Sequence, residues 1–158
     1  MKLRKEVAFL LGLFMSCNPI VVQANATVPT SVFTIGKGTY SVNGMVRNDA
    51  PPYIENGRVY LPLRYVAYSC GIGDNSIYWD QEKQTAYLLK SSNLLAVKIG
   101  EQFITLNGKK VPMDAKATYK QGRVMLPLRA ISEALNCIVQ WDGGKKQVVI
   151  IPDASIKQ

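Results

Sequence analysis

One stretch of eight residues occurs twice in this chain, and the duplication constrains the fold more than any other sequence feature. Gly-Arg-Val-Tyr-Leu-Pro-Leu-Arg at residues 57–64 returns at residues 122–129, with only Tyr60 exchanged for Met125. A match this close over eight positions indicates an internal repeat. We refer to the two copies as the octamers.

The similarity extends well beyond the octamers. Downstream of them, Trp79-Asp80 corresponds to Trp141-Asp142. The sequence therefore predicts two copies of one unit, residues 33–89 and 97–151. A unit of under sixty residues buries a marginal core alone, so we expect the copies to pack together.

Turn signals divide each copy into short strands. Asn-Gly pairs at residues 43–44 and 107–108 lie between alternating runs and predict tight β-hairpins, because both residue types tolerate positive φ. Residues 48–52 contain two consecutive prolines and are predicted to form a loop. The predicted fold is α+β, with two tandem βββαββ-type repeats whose mainly antiparallel sheets each carry one packed helix.

The proline of each octamer marks a change from strand to helix. Pro62 cannot donate to a sheet ladder, but its fixed φ suits the start of a helix. Apolar residues then recur at the spacing of one helical face: Leu63, Val66, Ala67 and Cys70. The two helices are predicted to end at Gly71 and Asn136, since both residue types accept the left-handed conformation.

The N-terminus is typical of a secretory signal peptide. A basic start precedes a short apolar run and a small-residue exit at Ala24-Asn25-Ala26. Loss of residues 1–26 removes three basic and one acidic side chain and lowers the net charge from +8 to +6. A retained membrane anchor and lipoprotein processing at Cys17 are the alternatives. Residues 27–32 are predicted to be a flexible lead, and residues 152–158 a C-terminal tail.

Two cysteines remain after the predicted cleavage, Cys70 and Cys137. Export would permit a disulfide. The repeat alignment, however, places Cys70 against Leu135, two residues before Cys137. We therefore expect two separate buried thiols, with a disulfide as the alternative.

The octamers, the Asn-Gly hairpins and the Trp-Asp turns together resemble the copper amine oxidase N-terminal domain-like, or stalk, domain of exported bacterial proteins. The likeness covers residues 33–151. It implies an α+β module, a sheet curved around a helix, and attachment to the cell envelope. It implies no oxidase activity, because copper and the quinone cofactor of the full enzymes belong to a different domain.

The residues themselves also argue against an enzyme. The chain has no histidine, which is the commonest metal ligand and general base. It has no Gly-rich phosphate loop and no nucleophile elbow. We therefore predict no catalytic residues, no cofactor and no metal site. Carboxylate pairs are arithmetically possible, but most of the acids lie at turns, where Asp commonly caps the backbone.

Arg64 and Arg129 are candidate binding residues, because each lies in the first turn of a predicted helix, where the helix dipole disfavours a cation. One interpretation is a pair of sites for an anionic group, such as a wall phosphate or carboxylate. The preferred interpretation is an ion pair in each copy, Arg64 with Asp80 and Arg129 with Asp142 or Glu133.

Four aromatic residues complete the candidate binding set: Tyr60, Tyr78, Trp79 and Trp141. The tryptophans could stack on sugar rings, although packing in the core or at a sheet edge is the preferred interpretation. Alternation predicts that Tyr60 and Tyr78 lie on the less buried side of their strands. If a surface patch of the protein binds glycan, these tyrosines are its first candidates.

The sequence thus favours a non-catalytic exported module, secreted or associated with a bacterial cell envelope, that binds wall polymer or glycan. The alternative is a structural spacer or protein-interaction module that uses free sheet edges. The expected partners are cell-wall polysaccharide or another envelope protein. We expect no nucleic acid partner and no stable membrane span after signal cleavage, and the oligomeric state stays open.

Overall fold

The computed structural model describes residues 29–153, except for the side chains of residues 131–133. The predicted signal peptide and the Cys17 lipoprotein alternative lie outside the described residues. The first half of the described chain contains β1 (Ser31–Thr34), β2 (Thr39–Val42), β3 (Met45–Asn48), β4 (Tyr53–Glu55), β5 (Arg58–Pro62), α1 (Leu63–Ser69), a 3-10 turn (Asp74–Ser76), β6 (Ile77–Asp80) and β7 (Thr85–Lys90).

The second half runs through the same order of strands and helix. It contains β8 (Asn93–Lys98), β9 (Phe103–Leu106), β10 (Lys109–Pro112), β11 (Thr118–Lys120), β12 (Arg123–Pro127), α2 (Leu128–Leu135), β13 (Cys137–Asp142) and β14 (Gln147–Pro152). Five strands precede each helix where the sequence predicted three. The additional strands are short, and β1 begins inside the stretch expected to be a flexible lead.

Three antiparallel sheets are built from strands of both halves. Sheet 1 has the order β13-β14-β1-β2-β3, sheet 2 the order β11-β12-β5-β4, and sheet 3 the order β10-β9-β8-β7-β6. The expectation of mainly antiparallel sheets is confirmed, since every strand pair described is antiparallel. Because sheets 1 and 3 each combine three strands of one half with two of the other, neither half can complete its sheets alone.

The two octamers pair with each other at the centre of sheet 2. Leu61 lies opposite Leu126, and the flanking pairs are Pro62 with Met125 and Tyr60 with Pro127. Both central leucines are fully buried. The duplicated stretch therefore forms the contact about which the two halves are arranged.

The octamer prolines lie where the strands end and the helices begin. Pro62 is the last residue of β5 and the N-cap of α1, with φ −64°, and Pro127 has the same place before α2, with φ −65°. These values are the ones to which the proline ring restricts φ. The helices end as predicted, with Gly71 at φ +81° and Asn136 at φ +50°.

Asn-Gly turns close the hairpins as predicted. Asn43 and Gly44 join β2 to β3, and Asn107 and Gly108 join β9 to β10, all four with positive φ. Such turns match the natural twist of paired strands.

A single hydrophobic core extends through both halves. It includes Phe33 and Leu88 of the first half and Ile104 and Ile150 of the second, each no more than 1% exposed. Helix α1 packs on sheets 1 and 2, and α2 packs on sheet 2 and on β9 and β13. Shared sheets and a shared core make the two halves one folding unit.

A disulfide joins the two halves, so the expectation of separate thiols was wrong. Cys70 and Cys137 are bonded, with their Cα atoms 6.2 Å apart. The argument from the repeat alignment failed because two cysteines form a disulfide when they are close in space, whether or not they occupy equivalent positions in the two copies. Cys70 follows α1 and Cys137 begins β13, and the packing of α1 on sheet 1 brings these positions together.

Two ion pairs also cross between the halves. Arg58 of β5 contacts Asp114 of the second half at 3.3 Å, and Arg123 of β12 contacts Asp49 of the first half at 2.8 Å. Arg58 and Arg123 occupy the same position in the two octamers. The octamers therefore hold the halves together by reciprocal salt bridges as well as by strand pairing.

Candidate functional site

A groove of about 200 Å³ lies between the edge strand of sheet 3 and the adjacent edge of sheet 2. Its walls are β6 on one side and β11 with β12 on the other, and the start of α1 closes it. Four apolar side chains contribute to its lining: Leu63, Ile77, Ala86 and Val124. The rest of the lining is largely aromatic and cationic, so we call this feature the aromatic groove.

Two aromatic rings, one from each wall, stack on each other in the lining of the aromatic groove. Trp79 of β6 and Tyr119 of β11 have ring centroids 6.5 Å apart and an interplanar angle of 21°. Trp79 is half-buried against the core, and its Nε1–H donates to Gln81 Oε1 at 2.8 Å, which fixes the indole. Tyr119 is 58% exposed. The groove lining therefore contains a half-buried indole held by a hydrogen bond and an exposed tyrosine ring stacked on it.

Tyr78 extends the aromatic surface toward solvent. Its side chain is 63% exposed, and its ring lies 6.3 Å from that of Tyr87, its partner on β7. The expectation that Tyr78 lies on the less buried side of its strand is thus confirmed. Exposed tyrosines beside a polar rim are suited to contact a ligand with both apolar and hydroxylated faces.

Arg64 lies in the first turn of α1, where the helix borders the aromatic groove, and its guanidinium is held by Asp74. Its Nη1 donates to Asp74 Oδ1 at 2.8 Å, and the Tyr68 hydroxyl also donates to that oxygen. The hydrogen bond from Tyr68 and the charge of Arg64 lower the pKa of the Asp74 carboxyl, despite some opposing desolvation. Asp74 therefore stays ionised in neutral solution and orients the guanidinium.

This partner of Arg64 is not the one the sequence predicted. Asp80 instead caps its own turn, where Oδ1 accepts from the Lys83 N–H at 3.0 Å and Oδ2 pairs with Lys83 Nζ at 3.3 Å. Asp74 belongs to the short segment around Gly73 that has no counterpart in the second half. An alignment of the two copies therefore could not reveal it.

Arg123 also lines the groove and is also anchored by a carboxylate. Asp49 is only 9% exposed and accepts from Arg123 Nε, from the Tyr65 hydroxyl at 2.6 Å and from the Ala50 N–H at 2.7 Å. Burial alone would raise the pKa of Asp49, but these hydrogen bonds outweigh it and lower that pKa. Burial and the bond to Asp49 raise the pKa of Tyr65 to about 12.

The aromatic groove brings together three of the six predicted site residues: Arg64, Tyr78 and Trp79. Trp141 is 44% exposed and lies on β13, the outer strand of sheet 1. Arg129 lies 3.9 Å from Asp114 and not beside Asp142, whose carboxylate contacts Lys145 at 3.5 Å. The alternative partner Glu133 has a side chain outside the described set.

Tyr60 is buried, so the expectation that it lies on the less buried side was wrong. It is 5% exposed and stacks on Tyr53 at 4.9 Å, with an interplanar angle of 4°. The Tyr53 hydroxyl then bonds Thr118 at 2.8 Å across the face of sheet 2. Alternation failed because side chains from the two edge strands cover this face as well.

Comparison with known proteins identifies the family of this chain. The family described as Copper amine oxidase N-terminal domain matches the chain at residues 21–71 and 40–150. The chain belongs to this family. No curated protein and no solved structure matches it at a significant level.

The copper amine oxidase N-terminal domain is a non-catalytic, accessory part of amine oxidases. The described residues of this family member do not fit a copper site. The chain has no histidine, and its Cys70 and Cys137 are joined to each other. In residues 29–153, no group of three or more Cys, Asp or Glu side chains could hold a metal ion. No helix in that part of the chain is long and apolar enough to cross a membrane.

Sequence reasoning missed two residues of the aromatic groove in this family member. Tyr119 was not predicted because the groove lies between strands of two different sheets, and the sequence does not show that these strands are neighbours. The alignment of the two copies does show that Tyr119 corresponds to Ile54 in the first half. Arg123 was not predicted because the helix-dipole argument applies only to the last arginine of each octamer, which lies in the first turn of a helix. The arginine at the second position lies in a strand. A search for aromatic residues present in only one copy would have found Tyr119 and Tyr78.

Proposed function

We propose that this chain is an exported, non-catalytic module of the bacterial cell envelope that binds wall polysaccharide in the aromatic groove. In this proposal the chain consists of two tandem copies of one unit, preceded by a signal peptide that is removed on export. The observation that carries the proposal is the stacked pair of Trp79 and Tyr119 beside two anchored arginines. Aromatic faces flanked by hydrogen-bond donors suit the apolar faces and hydroxyl groups of sugar rings.

The family assignment supports the absence of catalysis in this proposal, because the matching domain is accessory to the oxidase chemistry. The volume of the groove supports a polymer as the ligand. At about 200 Å³ it is smaller than the ~300–1,000 Å³ of pockets that enclose a small molecule. It therefore suits one or two sugar units of a chain that continues on both sides.

Co-sedimentation with purified bacterial cell wall at low salt tests this function. We expect the folded protein to sediment with the wall. Tyr119→Ala should weaken binding about tenfold, as expected for loss of an aromatic contact. Tyr119 is exposed, so this variant leaves the core intact. Trp141→Ala is the matched control and should bind within about twofold of the native protein. Native protein that stays wholly in the supernatant would remove the proposal.

A second function is favoured by one observation, the open edge of sheet 1. All four residues of β3 are exposed, including Met45 at 55% and Val46 at 70%. An edge strand with unpaired backbone groups and exposed apolar side chains can pair with another chain. In this alternative the protein is a spacer or an interaction module of the envelope.

Sedimentation velocity over a wide concentration range discriminates the second function from the first. Self-association that Val46→Lys abolishes, with wall binding unchanged, would support pairing through β3. Strictly monomeric behaviour at high concentration, with no partner recovered from envelope extracts by crosslinking at Val46, would count against it.

A further inference from the structure

We propose that the polysaccharide bound in the aromatic groove is acidic, and that Arg64 and Arg123 bind the carboxylate of a uronic acid unit stacked on Trp79 and Tyr119. This inference rests on the proposed function and specifies the chemical class of its ligand. It follows from the charge, the anchoring and the size of the groove.

The charge of the groove lining has one sign. Among the described residues that line it, Arg64 and Arg123 are charged and none is Asp or Glu. The carboxylates that pair with them, Asp74 and Asp49, are not part of this lining. A ligand in the groove therefore meets cationic donors and no anionic group, which favours an anion.

Both guanidiniums are fixed and still have donors to offer. Arg64 uses Nη1 for Asp74, whereas Arg123 uses Nε for Asp49 and Nη1 for the Gly122 carbonyl. Within the part of the chain that the structure describes, no hydrogen bond engages Nη2 of either residue. A guanidinium carries five N–H groups in a planar fork that matches a carboxylate. The anchoring carboxylates reduce the entropy that binding would otherwise cost.

The small size of the groove favours a ligand whose carboxylate is attached directly to the sugar ring. A volume of about 200 Å³ leaves room for little more than one sugar ring beside Trp79 and Tyr119. A uronate has its carboxylate on the ring carbon skeleton, so stacking and charge pairing occur in one sugar unit. A polyol phosphate chain has no ring to stack on Trp79 and Tyr119.

Calorimetric titration with matched oligosaccharides tests this inference. The probes are oligogalacturonate and the neutral oligogalactan of equal length and linkage, which differ only in carboxylate against hydroxymethyl. We expect the acidic probe to bind at least tenfold more tightly at low salt, because charge-assisted hydrogen bonds are about twice as strong as neutral ones. Arg64→Gln should remove most of this preference, because the amide keeps hydrogen-bond donors for a sugar hydroxyl group and loses the positive charge. Arg129→Gln, outside the groove, should leave the preference intact.

The outcomes separate this inference from the proposed function. Equal binding of both probes, lost in Tyr119→Ala, would overturn the acidic ligand and leave polysaccharide binding standing. An acidic preference reduced equally by Arg64→Gln and Arg129→Gln would show attraction to overall charge and overturn the inference. Tighter binding of a polyglycerol phosphate than of oligogalacturonate would also overturn it. Binding of neither sugar, with no sedimentation on cell wall, would remove both proposals.

Discussion

The surfaces around Trp79 and Trp141 occupy equivalent places in the two halves but differ in what surrounds the indole. At the first, Tyr119 stacks on Trp79, and Tyr78 and Arg64 lie beside it. In the alignment of the two halves, Tyr119 corresponds to Ile54, Tyr78 to Gln140 and Arg64 to Arg129. We call these three residues, together with Trp141, the counterpart surface. Strand pairing is the same at both, since Ile54 faces Val59 as Tyr119 faces Val124. The two surfaces thus share this strand pairing and differ in their side chains, and among the residues described only the first half has a 3-10 turn, Asp74–Ser76, between its helix and the next strand.

The two surfaces also differ in how their strands are tied to α1. The segment before β6 is tied by the exposed ion pair of Arg64 with Asp74, whereas the start of β13 is tied by the disulfide of Cys70 with Cys137. An exposed ion pair contributes little to stability, but a disulfide across a long loop contributes much. The stable crosslink therefore lies on the side without the groove, and the groove side carries the exposed ion pair that orients Arg64.

Loss of the disulfide should produce the largest effect on stability. Cys70 and Cys137 are 67 residues apart, and a loop of this length corresponds to about 4 kcal/mol of unfolding free energy. Chemical denaturation of the Cys70→Ser/Cys137→Ser double variant should show this loss. Binding to the aromatic groove should change less than twofold at temperatures where the variant is folded. A variant that is equally stable, or folded but unable to bind, would contradict the assignment of stability and binding to different sides.

The two ion pairs between the halves should contribute unequally. Asp49 is 9% exposed with three donors, whereas Asp114 is 27% exposed, contacts Arg58 at 3.3 Å and has a buried oxygen, Oδ1, without a partner in the described residues. Hydrogen bonds to buried charges are the stronger ones. Asp49→Ala should cost about 2–3 kcal/mol of unfolding free energy and Asp114→Ala about 1 kcal/mol. Equal losses in urea denaturation would contradict the difference drawn between the two sites.

The same contacts give a pH dependence with a defined sign. Hydrogen bonds lower the pKa of Asp49 from its ordinary 3.8, so its stabilisation is complete above about pH 4 and is lost as pH falls through the lowered value. The pKa of Tyr65 is raised to about 12, so its contribution is lost as pH rises from 10 to 12. Asp49→Asn should therefore be less sensitive to acid than the native protein. An unchanged acid dependence, measured by thermal unfolding between pH 2 and 7, would exclude this role of Asp49.

Local features of the fold were predictable, and long-range contacts were not. The Asn43-Gly44 and Asn107-Gly108 hairpins and the helix ends at Gly71 and Asn136 follow from the conformations that single residues tolerate. The way in which each sheet combines strands of both halves could not be predicted in this manner. Both halves have the same local sequence patterns, and these patterns do not specify whether a strand pairs within its own half or with the other half.

The errors in the predicted site have the same origin. Tyr60 was expected on the less buried side because alternation describes one strand and not the side chains that later cover it. The partner of Arg64 was missed because Asp74 has no counterpart in the second copy. The disulfide was missed because equivalence in sequence was used in place of proximity in space.

A graft should convert the counterpart surface into a second groove with a smaller effect. Ile54 is 47% exposed and Gln140 is exposed, so Ile54→Tyr with Gln140→Tyr should be tolerated. We expect calorimetric stoichiometry with oligogalacturonate to rise from one toward two. The new site should be about tenfold weaker, because the Arg129 side chain is 81% exposed against 47% for Arg64, so binding would cost it more side-chain entropy. The reverse variant, Tyr119→Ile with Tyr78→Gln, should bind at neither surface, and unchanged stoichiometry in the graft would weaken the comparison.

The most direct test observes both surfaces in one titration. The chain has two tryptophans, so the ¹⁵N-labelled protein gives two indole N–H resonances, which Trp141→Phe assigns. As solubilised wall polysaccharide is added, the Trp79 resonance should shift to saturation while the Trp141 resonance stays in place. Equal shifts of both resonances, or a shift of Trp141 alone, would contradict the assignment of binding to the aromatic groove.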